Sequence, residues 1–218
     1  MTKIAVILAG SGYLDGSEIR ESVLTLTELS KVNAEVTIFA PDIPQRDVVN
    51  HITGEAASGE SRNVLVESAR IARGEISDLS DARAEEFDAV IIPGGFGVAK
   101  NLSNLVTDGK NMTILPEFKK LLLSFLEQEK PIGAICISPA VLVAALQKKV
   151  SVKVTIGSDE DSLIESIGGK HEKCDATQIA IDGENKIVST PAYMLDAPLG
   201  KISEGIEKLV KEIVKLVG

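Results

Sequence analysis

The chain has no tryptophan, two tyrosines and five phenylalanines in 218 residues, so few rings are available for nucleic-acid bases to stack on. Cations are short as well: 23 Lys and Arg face 32 Asp and Glu, a formal net charge of −9 at pH 7. A general nucleic-acid binder needs a cationic surplus to displace phosphate counterions, and that class is set aside. Only two cysteines occur, Cys136 and Cys174, too few for the disulfide framework of a secreted domain, which points to free thiols in a reducing compartment. No stretch approaches the ~20 apolar residues of a membrane-spanning helix. The apolar run at 4–10 leads into a glycine-rich turn rather than a cleavage site, and reads as a buried strand. The expectation is a cytoplasmic protein that binds neither nucleic acid nor membrane.

What is present is an alternation. Short Ile- and Val-rich runs at 4–9, 35–39, 89–92, 132–135, 152–156, 179–181 and 187–189 predict strands. Segments of helical period at 17–32, 62–73, 115–129, 140–147, 160–167 and 197–216 lie between and after them. Continuously apolar strands separated by helices predict an α/β sandwich whose mostly parallel sheet is covered on both faces. The runs 179–181 and 187–189, joined by Asp182-Gly183-Glu184-Asn185, predict a small hairpin. The segment 41–60 carries two prolines and no sustained period, and reads as a long connection at one end of the sheet. With no repeat, linker or low-complexity stretch, residues 1–218 read as a single domain.

In such a sheet, chemistry collects in loops at the carboxyl ends of the strands. Three loops stand out: GYLDGSEIRE at 12–21, IIPGGFG at 91–97 and PIGAICISP at 131–139. Cys136 falls where an apolar strand stops and a helix starts, a junction like the nucleophile elbow, with Pro139 suited to a first helical turn. There the helix dipole favours the thiolate, and the Ile137 amide would face an oxyanion forming beside the sulfur. A small buried hydrophobe is the plain alternative for a free cysteine. Glu18 and Glu21, three apart, are either first-turn acids that satisfy a helix dipole or a carboxyl facing Cys136. Gly94 and Gly95 fit no dinucleotide fingerprint; they are either flexible turn glycines or a pair whose amides serve an oxyanion or position a carboxyl. His51 and His171 are the only histidines, and His171 with Cys174 makes at most half a metal site.

Taken together, the loops resemble the ThiJ/PfpI superfamily, whose flavodoxin-like domain is similar to class I glutamine amidotransferases. Within it, the stretches at 12–21, 39–42 (FAPD), 50–55 (NHITGE), 91–104 (IIPGGFGVAKNLSN) and 189–195 (STPAYML) resemble the ElbB family. The resemblance implies a flavodoxin-like fold, with the elbow nucleophile at Cys136 and its partner glutamate at Glu21, Glu18 being second choice. It places the glycine-pair loop at Gly94 and Gly95, and Asn101 beside the same cleft. The implied activity is glyoxalase: glyoxal, or a similar small 2-oxoaldehyde, becomes its 2-hydroxy acid with no cofactor, glutathione or metal. A homodimer is implied too. Two departures from the superfamily stand in the sequence: Ile137 follows the cysteine where several branches carry His, and Gly157-Ser158-Asp159 follows the strand after which other branches place one. Lacking that base, an ammonia-releasing amidotransferase is disfavoured. The non-enzymatic alternative is a redox-sensing or partner-binding protein whose Cys136 is oxidised beside a protonated Glu21.

Overall fold

The computed structural model describes residues 1–218. Its strands are β1 (Lys3–Ile7), β2 (Glu35–Ala40), β3 (Ser77–Asp78), β4 (Ala89–Ile92), β5 (Ile132–Ile135), β6 (Lys153–Val154), β7 (Lys170–His171), β8 (Ala180–Asp182) and β9 (Ile187–Thr190). The helices are α1 (Ile19–Lys31), α2 (Val64–Ile71), α3 (Phe96–Lys100), α4 (Leu105–Asp108), α5 (Pro116–Glu127), α6 (Ser138–Leu146), α7 (Leu163–Ser166) and α8 (Leu199–Val217). Seven strands form one sheet in the order β3-β2-β1-β4-β5-β9-β8. All neighbours are parallel except β8, which pairs antiparallel to β9 as the outer half of the expected hairpin.

The alternation of a strand divides the core in two. Ile4, Val6 and Leu8 point into one apolar cluster with Leu29 of α1, Val64 of α2 and Ile202, Ile206 and Leu209 of α8. Ala5, Ile7 and Ala9 point into the other, with Phe118, Leu122 and Phe125 of α5 and the apolar length of α6. Each aliphatic side chain buried this way stabilises the fold by about 1.5–3 kcal/mol relative to exposure. The result is the α/β/α sandwich with a mostly parallel sheet that the apolar runs predict. Strand order reverses between β1 and β4, the switch point at which such sheets open a crevice beyond their carboxyl ends.

The residues at 152–156 depart from expectation. They do not join the main sheet; only Lys153 and Val154 are strand, paired in a separate two-stranded sheet with β7. The cause is local: side chains of the hairpin take amides that a ladder would otherwise use. Asp182 accepts from the Lys153 amide at 2.8 Å and Ser189 Oγ from the Thr155 amide at 2.9 Å. The helix expected over 160–167 shrinks to α7, because Asp159 accepts from the Leu163 and Ile164 amides, both at 2.8 Å, and starts the helix late. The segment 41–60 is an irregular connection held by isolated bridges Pro44–Asn63 and Val49–Ala56. No helix is long and apolar enough to cross a membrane.

Candidate active site

β1, β4 and β5 each end in a tight turn, and the three turns meet. Cys136 follows β5 directly and adopts φ +64°, a left-handed conformation costing a non-glycine residue about 1–2 kcal/mol. Its amide still bonds the Thr190 carbonyl at 3.0 Å, so the sheet holds the residue from below while the turn lifts its side chain out of the ladder. Two residues on, Ser138 opens α6 and its Oγ donates to the Pro93 carbonyl at 2.9 Å, fastening the elbow to the turn after β4.

That turn carries Gly94 and Gly95, and neither position admits a side chain. A Cβ on Gly94 would stand 2.3 Å from the Cys136 Cβ and 2.7 Å from Glu21 Oε2. Gly95, at φ +100°, would place one 2.4 Å from the Glu18 nitrogen. The glycine pair is therefore what lets a thiol and a carboxyl reach each other across β4.

The carboxyl is that of Glu21. Glu18 caps α1, its side chain accepting from the Glu21 amide at 2.6 Å. An acid three residues beyond a cap commonly turns back to the cap residue's own amide. Here the Glu18 amide instead bonds the Gly94 carbonyl at 2.9 Å. Glu21 is thereby released to point inward, where it is fully buried and accepts from the Gly94 amide at 2.9 Å and the Tyr193 amide at 3.2 Å. Of the two acids, Glu21 meets the thiol and Glu18 organises the helix start.

Burial pushes the Glu21 carboxyl up to about 8, with the nearby Glu18 charge adding to the effect; amides of Tyr193 and Gly94 and the Cys136 thiol pull the other way. Burial likewise pushes the Cys136 thiol up, and a charged Glu21 beside it adds to that, while the amides of Gly95 and Ile137 favour its thiolate. Two acids in hydrogen-bonding contact titrate as a pair. Near neutral pH both hold their protons; once the first is lost at about 8, the pair shares the remaining one, and the two amides aimed at the sulfur are placed to receive negative charge developing beside it.

Cys136 lines a cavity of about 420 Å³ walled mainly by Tyr13, Phe96, Ile137, Tyr193 and Met194. A second cavity of about 510 Å³ shares Tyr13, Glu18 and Tyr193 with it and adds Arg20 and His51. His51 does not act on the thiol pair: its Nδ1 lies 3.0 Å from the Val49 carbonyl and its Nε2 accepts from the Leu14 amide at 3.3 Å. With Asp15, which accepts from the Val49 amide at 2.7 Å, it ties the segment 41–60 to the loop after β1. Asn101 is buried behind this loop rather than in the cavity wall. Its amide nitrogen donates to the carbonyls of Ala9 and Asp15 at 2.9 and 3.0 Å, and its oxygen accepts from the Arg46 amide at 3.0 Å. Its contribution is to brace the loop that carries Tyr13 and Glu18.

No three His, Cys, Asp or Glu side chains converge as a metal-ligand set. His171 Nε2 accepts from the Ile156 amide at 3.4 Å, and Cys174 contacts Thr155, so this pair belongs to the small-sheet region. Reasoning from sequence missed Arg20, Phe96, Tyr193 and Met194. Phe96, Tyr193 and Met194 were visible only as members of the stretches 91–104 and 189–195, and no spacing rule brings residue 193 to residue 21.

Similarity to known proteins runs over nearly the whole chain. The chain is 41% identical to the human glutamine amidotransferase-like class 1 domain-containing protein 3, mitochondrial, covering 99% of this chain and 84% of that one. It is 43% identical to the rat ES1 protein homolog, mitochondrial, with the same coverage. Among solved structures, an isoprenoid biosynthesis protein with amidotransferase-like domain from Ehrlichia chaffeensis superposes with a TM-score of 0.96 at 48% identity, over 100% of both chains. The Rapid Encystment Protein 24 KDa of Francisella tularensis, at 17% identity and a TM-score of 0.64 over 100% of both chains, shares the fold. Residues 3–155 match the model of the DJ-1/PfpI family, and this chain, with its cysteine elbow and buried glutamate, belongs to that family.

Proposed function

We propose that the protein is a glutathione-independent glyoxalase of ElbB type, converting glyoxal or a similar small 2-oxoaldehyde to its 2-hydroxy acid. The observation that carries the reading is the contact between Cys136 and a buried carboxyl that keeps its proton up to about 8, with the Gly95 and Ile137 amides aimed at the same sulfur. An amide substrate would require a strong base and a poor leaving group to be protonated, and both ring nitrogens of His51 are engaged elsewhere. An aldehyde is far more electrophilic and needs neither.

The chemistry balances internally. With its proton passed to Glu21, the Cys136 thiolate forms an S–C bond to the aldehyde carbon, and the carbonyl oxygen takes negative charge beside the two amides. Glu21 returns the proton to that oxygen, giving a hemithioacetal, and is then a carboxylate. It removes the hydrogen on the sulfur-bearing carbon and delivers it to the adjacent carbon through an enediol, while the hydroxyl proton of the first carbon passes to the oxygen of the second. The first carbon is oxidised to a thioester and the second reduced to an alcohol, so no external oxidant or reductant enters. Water, deprotonated by Glu21, opens the thioester and releases the thiolate.

Glycolate formation from glyoxal without glutathione tests the proposal on wild type, Cys136→Ala and Glu21→Gln, each checked for an intact fold. Wild type is expected to make glycolate, Cys136→Ala none above buffer, and Glu21→Gln at least about 100-fold less, the usual size of a general-base contribution. A wild type indistinguishable from buffer, with Cys136 oxidised selectively at low peroxide, would instead support the redox-sensing alternative.

A further inference from the structure

The cleft beside Cys136 is larger and more differentiated than glyoxal, a molecule of two carbons and two oxygens, requires. The first cavity, about 420 Å³, is mostly apolar and aromatic in its walls. The second, about 510 Å³, continues from it through Tyr13, Glu18 and Tyr193. Pockets of several hundred Å³ suit ligands of drug-like size. Four of the chain's large exposed apolar side chains, Tyr13, Ile19, Phe96 and Met194, line these two cavities.

Arg20 is the one Lys or Arg lining either cavity. It forms no ion pair, and its Nη1 donates to the Tyr193 hydroxyl at 3.2 Å, with the guanidinium 5.9 Å from the centre of the Tyr193 ring. Tyr193 thus aims the cation while itself walling both cavities. The placement runs against local preference, since a cation in the first turn of α1 opposes the helix dipole. Ile19 beside it is 46% exposed and Glu21 is buried, so the whole turn is ordered for its cavity side rather than for helix stability. The only carboxylate in the two walls, Glu18, accepts from the Glu21 amide, and its charge acts on Arg20 without coming within ion-pair distance.

We infer that the site takes an aldehyde carrying an apolar body and a terminal oxyanion, with Arg20 as the residue that binds the anion and sets specificity. The inference rests on the proposal that Cys136 attacks an aldehyde and narrows its substrate class. The aldehyde meets the sulfur between the Gly95 and Ile137 amides, the apolar body lies along Phe96 and Met194, and the anion reaches the guanidinium beside the Tyr193 hydroxyl. A carboxylate and a phosphate share the chemistry that Arg20 recognises.

The test reads Cys136 itself, so it does not depend on turnover. Rates of Cys136 alkylation, in which Sγ displaces bromide and the thiol proton passes to buffer, are measured by mass spectrometry. The probes are 4-(bromomethyl)benzoate, its uncharged carboxamide, and 4-(bromomethyl)phenylphosphonate. Wild type is expected to react about ten-fold faster with an anionic probe than with the carboxamide, the scale of one charge-assisted hydrogen bond. Which anion is faster identifies carboxylate or phosphate. Arg20→Met should remove the preference and Arg20→Lys restore part of it. Equal rates in wild type, a preference that survives Arg20→Met, or no reaction at Cys136 with any probe each overturns the inference. Glyoxal turnover on the same preparation separates the two readings: an anion preference without turnover removes the glyoxalase and leaves an anion site, and turnover without preference does the reverse.

Discussion

A carboxyl group buried without a cation keeps its proton well above the usual range, and Glu21 is in that position by design of its neighbours. Its two backbone donors offset only part of the burial, and its carboxyl loses its proton at about 8 instead of 4.5. Below pH 4.5 the group is protonated both folded and unfolded. Between 4.5 and about 8 the unfolded chain ionises while the folded one does not, so stability falls as pH rises through this window and the full penalty stands above it. Glu21→Gln removes that penalty, which has a ceiling of about 5 kcal/mol. Urea unfolding should therefore show the variant gaining far more over wild type at pH 8 than at pH 5. Equal differences at the two pH values would show that the carboxyl is not held protonated by burial. At this scale the sequence is half informative. Cys136 is marked by its strand–helix junction, although position alone fits a small buried hydrophobe equally well and the family resemblance tips the reading, whereas Glu21 looks like any first-turn acid. What distinguishes it is the bond from the Glu18 amide to the Gly94 carbonyl, a contact across 76 positions of chain.

At the scale of elements, the long periodic pieces are legible and the short ones are not. β4 and β5 fall at 89–92 and 132–135 as expected, because a strand buried on both faces must be apolar at every position. α3 and α4, of five and four residues, contain barely one turn each and show no period to detect. Yet α3 begins beside the glycine pair, and the turn before it sets the distance between the two acids. Gly94→Ala tests that turn. The added carbon would lie 2.3 Å from the Cys136 Cβ and 2.9 Å from the Ile135 carbonyl oxygen, neither of which is the free end of a flexible side chain. Overpacking of this kind typically costs about 1–3 kcal/mol. The variant is expected to unfold at lower urea and, where still folded, to form glycolate at least about ten-fold more slowly, because the thiol and carboxyl are pushed apart. Unchanged rates and stability would mean that the turn does not set their separation.

Over the whole molecule, the site exists because a doubly wound sheet returns to its own middle. Glu21 comes from the first strand–helix unit, and Cys136 from a unit added after the chain has laid down β2 and β3 on one side and crossed to the other. The sandwich is readable from alternating runs, and the crevice at the strand ends from the handedness and order such sheets obey. The inward turn of residues 189–195 is not readable that way. Its closing contact, the Tyr193 amide on Glu21, depends on where β9 ends beside β5. The account stands or falls on Cys136 and Glu21 working as one proton-sharing unit on an aldehyde. The pH dependence of kcat/KM for glyoxal, in wild type and Glu21→Gln, measures this most directly. For wild type the account predicts a rise to a plateau with an apparent midpoint near 8. For Glu21→Gln it predicts a rate at least about 100-fold lower, its midpoint shifted to higher pH because only the thiol, raised chiefly by burial, is left to ionise. No turnover at any pH, or the same profile in both proteins, would contradict it.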